Sequence, residues 1–260
     1  MLAIGFIVAS TLLTSELKRK GLDPNLGSTV TLMAVVFGII GSKILYLFEN
    51  WNYFVHAPFE MTFSPGGLTW YGGFILATLI IAFYAKKKKI PFLTISDAAA
   101  PGLMLGYGVA RIGCHLAGDG DYGMPTNLPW AMMYSKGTYP PSAAFREFPE
   151  VVQKYGVSGI VPDTILVHPA PLYEFLLGAI LFGALWKLRK NDYTDGKLFM
   201  MYLVLAGSAR FLIEFIRLNP RILFNLSEAQ LISLVVILIG IIGFRRLTLH
   251  QEQLVATTVQ

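Results

Sequence analysis

Residues 28–48 read STVTLMAVVFGIIGSKILYLF, an apolar run carrying the single charge of Lys43. At about 1.5 Å of rise per residue, a helix of this length crosses the roughly 30 Å hydrocarbon core of a bilayer. The pattern returns at 67–85, 93–113, 171–188, 197–216 and 227–244. A shorter apolar run, 1–13, reads as the later half of a spanning helix or as one that starts inside the membrane. The expected fold class is therefore an all-α polytopic membrane protein. It has about seven transmembrane helices in one membrane domain, 1–260.

Composition agrees. Of 260 residues, 54% are hydrophobic and 14% charged, against roughly 25% charged in a soluble chain. The formal charge of +5 does not point to nucleic acid, because the basic residues sit in short clusters between apolar runs, as in membrane loops. The single cysteine, Cys114, excludes an internal disulfide. No basic segment precedes Leu2, so no cleavable signal peptide is expected.

Those clusters orient the chain. Lys18, Arg19 and Lys20 follow the first apolar run, and Lys86 to Lys89 the third. Lys187, Arg189 and Lys190 follow the fifth, and Arg245 and Arg246 the seventh. In a seven-span alternation all lie on one side, which the positive-inside rule makes cytoplasmic. The N-terminus is then outside and the C-terminus cytoplasmic. The opposite loops, 49–66, 115–170 and 218–226, are richer in aromatics and proline. The longest, 115–170, is too short for a large independent core. It is expected to form a small extracytoplasmic cap with short helices, 141–155 among them.

Charge inside a bilayer is expensive and usually marks a functional site. In this topology Lys43, Arg111, Arg210, Glu214 and Arg217 fall near outer helix ends, where Tyr71, Tyr173 and Glu174 also start their helices. Terminal Arg and Lys also snorkel to the interface, a reading that stays open for Lys43 and Arg217. Arg111 lies in the small-residue stretch Gly106-Tyr107-Gly108-Val109-Ala110-Arg111-Ile112-Gly113. Such stretches pack against neighbouring helices, so Arg111 is expected to face the bundle interior. Arg210, Glu214 and Arg217 share a helix face. They form either a self-neutralising ion pair or a device in which Glu214 orients Arg210 toward a phosphate.

Tyr71 stands between two glycine pairs, Gly66-Gly67 and Gly72-Gly73, which suits close approach of a backbone or ligand. An interfacial aromatic reads the same way. After Arg111 comes Cys114-His115-Leu116-Ala117-Gly118-Asp119-Gly120-Asp121-Tyr122-Gly123. Its His and Asp spacing matches no standard metal site, so a turn shaping a pocket mouth is expected, with Cys114 a packing residue. No metal or cofactor is expected. His168-Pro169-Ala170-Pro171-Leu172-Tyr173-Glu174 is a helix start with Glu174 complementing the dipole, and Ser96-Asp97 an N-cap.

The chain resembles bacterial prolipoprotein diacylglyceryl transferases nearly end to end, through 66–73, 96–123, 168–174, 210–217 and 227–230. The family signature Arg-x-Gly-Asn-Phe-x-Asn-x-Glu-x-x-Gly is kept at Arg111, Gly113 and Gly123, and the His-Pro-x-x-Leu-Tyr-Glu and Arg-Phe-x-x-Glu-Phe-x-Arg motifs are complete. Cys114, His115 and Ala117 replace signature residues, Asp119 stands for the glutamate, and one residue is inserted before Tyr122-Gly123. Tyr71 occupies the place of a histidine proposed as base in the family.

The resemblance implies a seven-span inner-membrane enzyme that moves diacylglycerol from phosphatidylglycerol to the lipobox cysteine thiol of prolipoproteins. It implies headgroup binding by Arg111 and Arg210 with Glu214 in support, and the remaining expected lipid-binding residues are Asp119, Gly123, Lys43, His168 and Tyr173. Tyr71 and His115 are the candidate bases. The alternatives are a non-enzymatic phospholipid-binding protein or scramblase using the same arginines, and a related transferase with another acceptor.

Overall fold

A computed structural model describes residues 1–258. The helices are α1 (Leu2–Arg19), α2 (Asn25–Glu49), α3 (Trp51–Phe54), α4 (Pro58–Phe63), α5 (Trp70–Lys87) and α6 (Phe92–Ala117). They continue as α7 (Pro141–Ala144), α8 (Pro149–Tyr155), α9 (Ala170–Leu188), α10 (Lys197–Ile213) and α11 (Glu228–Thr258). A short hairpin, β1 (Arg221–Leu223) with β2 (Leu226–Ser227), precedes α11. Among the described residues, α2, α9 and the Glu228–Gln253 part of α11 are long and apolar enough to cross a membrane.

The chain divides into two compact units, Ser10–Ala99 and Met1–Ala9 with Ala100 onward. In the first, Leu13, Leu17, Leu26, Val30, Ala85, Ile95 and Ala98 form a buried core. There α2 and α5 meet through glycines: a Cβ on Gly41 would strike the Gly72 carbonyl, and one on Gly72 the Gly41 carbonyl. Small residues are what bring helices together where lipid is as apolar as leucine. For the same reason Leu32, Ile39 and Phe83 stand exposed. Ser96 is not an N-cap: α6 already starts at Phe92, and the Ser96 hydroxyl donates to the Phe92 carbonyl at 3.0 Å. Asp97 is buried, 3.8 Å from the Lys20 ammonium.

In the second unit α6 packs on α9 through Gly108 and Gly178. A Cβ on Gly108 would lie 3.3 Å from the Phe175 carbonyl oxygen. This contact brings the Tyr107–Arg111 face of α6 beside the start of α9. Between α6 and α9, Tyr122, Tyr134, Ala144, Phe145, Val151, Val161 and Val167 form a second buried core. The helix expected at 141–155 is broken into α7, a 3-10 turn at Phe145–Glu147, and α8. Pro149 has no amide hydrogen and pushes Phe148 out of helical angles, to φ −120° and ψ 80°. The hairpin was not legible in advance. Its two-residue turn places Phe224 and Asn225 at φ 51° and 59°, the paired positive φ of a tight hairpin turn.

Candidate active site

Arg111 lies one turn beyond Tyr107 on α6, Arg210 in the last turn of α10, and Arg217 in the segment after it. Between them, among the described residues, three carboxylates meet the three guanidiniums: Asp121 from the loop after α6, Glu174 from α9 and Glu214 at the end of α10. All belong to the second unit.

Glu174 is the hub. Its Oε1 accepts from the Tyr107 hydroxyl at 2.5 Å and from Arg210 Nη1 at 3.2 Å. Its Oε2 accepts from Arg217 Nη1 at 3.0 Å and lies 3.7 Å from Arg111 Nε. The sequence led to the expectation that this carboxylate serves the α9 dipole; instead it lies past the first turn of α9, buried among arginines because only paired charge survives there. Tyr107 also lies under the Arg111 guanidinium, 4.9 Å from ring centroid to Cζ, a cation–π contact that fixes the guanidinium plane.

Glu214 is fully buried and does hold Arg210, with Oε2 3.0 Å from Nη2. Its Oε1 accepts from Ser227 Oγ at 2.8 Å and from Asn219 Nδ2. Arg217 does not snorkel: it is buried, bridging Glu174 and Asp121. Asp121 spans two arginines, taking Arg111 Nη1 on Oδ2 and Arg217 Nη2 on Oδ1. Burial pushes the Asp121 pKa up, but Arg217 and Arg111 outweigh it and hold the carboxyl below its ordinary value.

The second aspartate of the Gly-Asp turn thus meets the arginines, and the first does not. Asp119 is exposed and accepts from the Asp121 amide at 3.3 Å, a local turn bond. Gly118 and Gly120 hold positive φ, +58° and +90°, and this bend turns Asp121 inward. The sequence showed both aspartates; only the bend chooses between them. Gly123 has a backbone role. Its amide donates to the His168 carbonyl at 2.8 Å, and a Cβ there would strike the Ile216 carbonyl. That contact sets Arg217 beside the Asp121 loop.

His168 and Tyr173 stand next to this strap. Tyr173 Oη accepts from Trp130 Nε1 at 2.7 Å and lies 3.4 Å from His168 Nδ1. Burial lowers the His168 pKa. Among the described residues, neither side chain hydrogen-bonds to the arginines. His115, one turn beyond Arg111, has Nδ1 2.8 Å from the Tyr134 hydroxyl. Its pKa is lowered by burial, which keeps the imidazole neutral near pH 7. His115 and Tyr134 line a surface cavity with Met132, Met133 and Lys136.

Cys114 Sγ accepts from Arg111 Nη1 at 3.7 Å, so it is more than packing. Its sulfur and the Asp119 and Asp121 carboxylates lie within 4.8 Å of one another. Asp121 already serves two guanidiniums there, which a cation would have to displace.

The remaining two residues lie in the Ser10–Ala99 unit. Lys43 is satisfied locally: its ammonium donates at 2.9 Å to the Ser64 carbonyl, Ser64 Oγ and the Gly66 carbonyl. Three acceptors use all three of its protons, so this lysine ties down the 58–66 segment. Tyr71 is the second residue of α5, half-exposed, with its ring edge-on to Trp70 at 5.5 Å.

This is a helical membrane protein that gathers arginines from separate elements around buried carboxylates, so its buried charge is concentrated in one site. The chain belongs to the prolipoprotein diacylglyceryl transferase family, whose model matches residues 1–246. It is similar to the phosphatidylglycerol–prolipoprotein diacylglyceryl transferase of Clostridium tetani, 30% identical over 94% of this chain and 90% of that one. The same holds for the enzymes of Leptospira interrogans, 29% identical over 92% and 85%, and of Clostridioides difficile, 30% identical over 94% and 87%.

Proposed function

We propose that this chain transfers the diacylglyceryl group of phosphatidylglycerol to the lipobox cysteine thiol of prolipoproteins, at the outer face of the bacterial cytoplasmic membrane. In this reading the seven apolar segments span the membrane with the N-terminus outside, and residues 115–170 form an extracytoplasmic cap. The observation that carries the chemistry is the meeting of Arg111, Arg210 and Arg217, from α6, α10 and the segment beyond it, around Glu174.

The acceptor thiol, with an ordinary pKa near 8.5, must lose its proton, because the thiolate is the nucleophile. It attacks the glycerol carbon; a carbon–sulfur bond forms, the carbon–oxygen bond breaks, and glycerol phosphate departs with the electron pair. Charge therefore develops on the phosphate, where preorganised guanidiniums act best. Tyr107, Glu174 and Glu214 are the groups that preorganise them.

The thiol proton goes to His115 or to water, with Tyr71 as the other candidate base. In the tautomer whose Nδ1–H donates to the Tyr134 hydroxyl, Nε2 of His115 keeps its lone pair. The test is mass spectrometry of a lipobox peptide incubated with the purified protein and phosphatidylglycerol. The expected product is a thioether-linked diacylglyceryl peptide with release of glycerol phosphate; lipid binding without that product would leave a phospholipid-binding protein instead.

A further inference from the structure

We propose that Asp121 is an exchangeable counter-ion of the arginine cluster, competing with the lipid phosphate for the same N–H groups of Arg111 and Arg217. This rests on the transferase reading above and deepens it by giving the site a means of releasing its product.

The geometry comes first. The two oxygens of Asp121 are shared between Arg111 Nη1 and Arg217 Nη2. Two non-bridging phosphodiester oxygens present the same pair of acceptors, and guanidiniums bind either group in this way.

Burial says which acid can leave. The side chains of Glu174 and Glu214 are 2% and 0% exposed, whereas Asp121 is 27% exposed, like Arg111 at 23% and Arg210 at 28%. Glu174 and Glu214 have further fixed partners in Tyr107, Ser227 and Asn219. Asp121 rides on a loop whose two glycines, Gly118 and Gly120, are already at positive φ. Its neighbour Gly123 is pinned to Ile216 and His168. The loop backbone is held, with the Tyr139 amide donating to the Gly118 carbonyl at 3.0 Å, so the exchange needs only rotation of the part-exposed Asp121 side chain while Arg217 stays.

Charge then gives the exchange a direction. With Asp121 engaged, three guanidiniums balance three carboxylates. With Asp121 turned away the cluster carries one net positive charge, which matches a phosphodiester monoanion. The departing glycerol phosphate is a monoester carrying about −1.5 to −2 at pH 7. It overcompensates the cluster, and the returning Asp121 carboxylate both repels it and takes over its donors.

Equilibrium binding of glycerol phosphate to the purified full chain in detergent micelles tests this without requiring turnover. Asp121→Asn should bind it roughly tenfold tighter than wild type, the scale of one charge-assisted contact. Asp121→Glu should remain near wild type. In transfer assays Asp121→Asn should lower both KM for phosphatidylglycerol and kcat, through retained product. If Asp121→Asn does not give monodisperse protein, Asp121→Ser takes its place. Unchanged or weaker glycerol phosphate binding in a monodisperse neutral variant overturns the proposal. Absence of any lipidated peptide from the wild-type protein instead overturns the transferase reading, and the binding comparison still stands.

Discussion

Arg217 donates from Nη1 to Oε2 of Glu174 at 3.0 Å across 43 residues of chain, tying the segment beyond α10 to the second turn of α9. The same carboxylate reaches Arg210 and Tyr107 through its other oxygen. One buried acid therefore sets the relative position of groups from α6, α9 and α10.

Loss of that acid should damage fold and activity together. Removing one partner of a buried ion network destabilises by about 3–5 kcal/mol, so Glu174→Ala should lower the melting temperature markedly in detergent. Glu174→Gln keeps the shape but not the charge and should fall between. A Glu174→Ala protein with wild-type melting and wild-type transfer would remove Glu174 from its place as hub. Tyr107→Phe, which deletes one hydrogen bond, should have a smaller effect, about 1–2 kcal/mol.

Arg111→Ala and Arg210→Ala should each reduce transfer by about a hundredfold or more, the usual effect of deleting a donor to developing charge. Membrane insertion should persist. Lysine should rescue poorly at either position, because the planar fork that serves two acceptors is lost. Rates near wild type in either alanine variant would dismiss the phosphate-binding role.

The base is decided by comparing pH profiles. Burial lowers the His115 pKa from 6.5, so His115 is neutral at pH 7 and becomes protonated only as the pH falls below 6.5. If it takes the thiol proton, kcat/KM falls on the acid side of 6.5 and the limb disappears in His115→Gln. Tyr71→Phe should then raise KM more than it lowers kcat. An inactive Tyr71→Phe beside a fully active His115→Gln with an unchanged profile would hand the role to Tyr71.

The proposed topology is testable by cysteine labelling in a Cys114→Ser background. An impermeant reagent added to intact cells should reach a cysteine at Lys136 and not one at Lys88. Labelling of Lys88→Cys from outside would reverse the orientation.

Sequence by itself determined the helical, membrane-spanning character, since a run such as 28–48 satisfies its backbone polar groups within lipid only as a helix. It also singled out Arg111, Arg210 and Glu214, because charge in apolar segments is rare enough to be conspicuous. What the tertiary structure decided was which charges are partners. Lys43 and Arg217 look alike in sequence, each a cation near a helix end, yet one holds loop carbonyls and the other joins Glu174 to Asp121. Likewise Asp119 and Asp121 differ by two positions, and only the backbone angles of Gly118 and Gly120 turn the second inward. Charge pairing acts over a few ångströms between residues up to 96 positions apart. No local pattern encodes such a distance, so the site became legible only once the helices and the loop were packed.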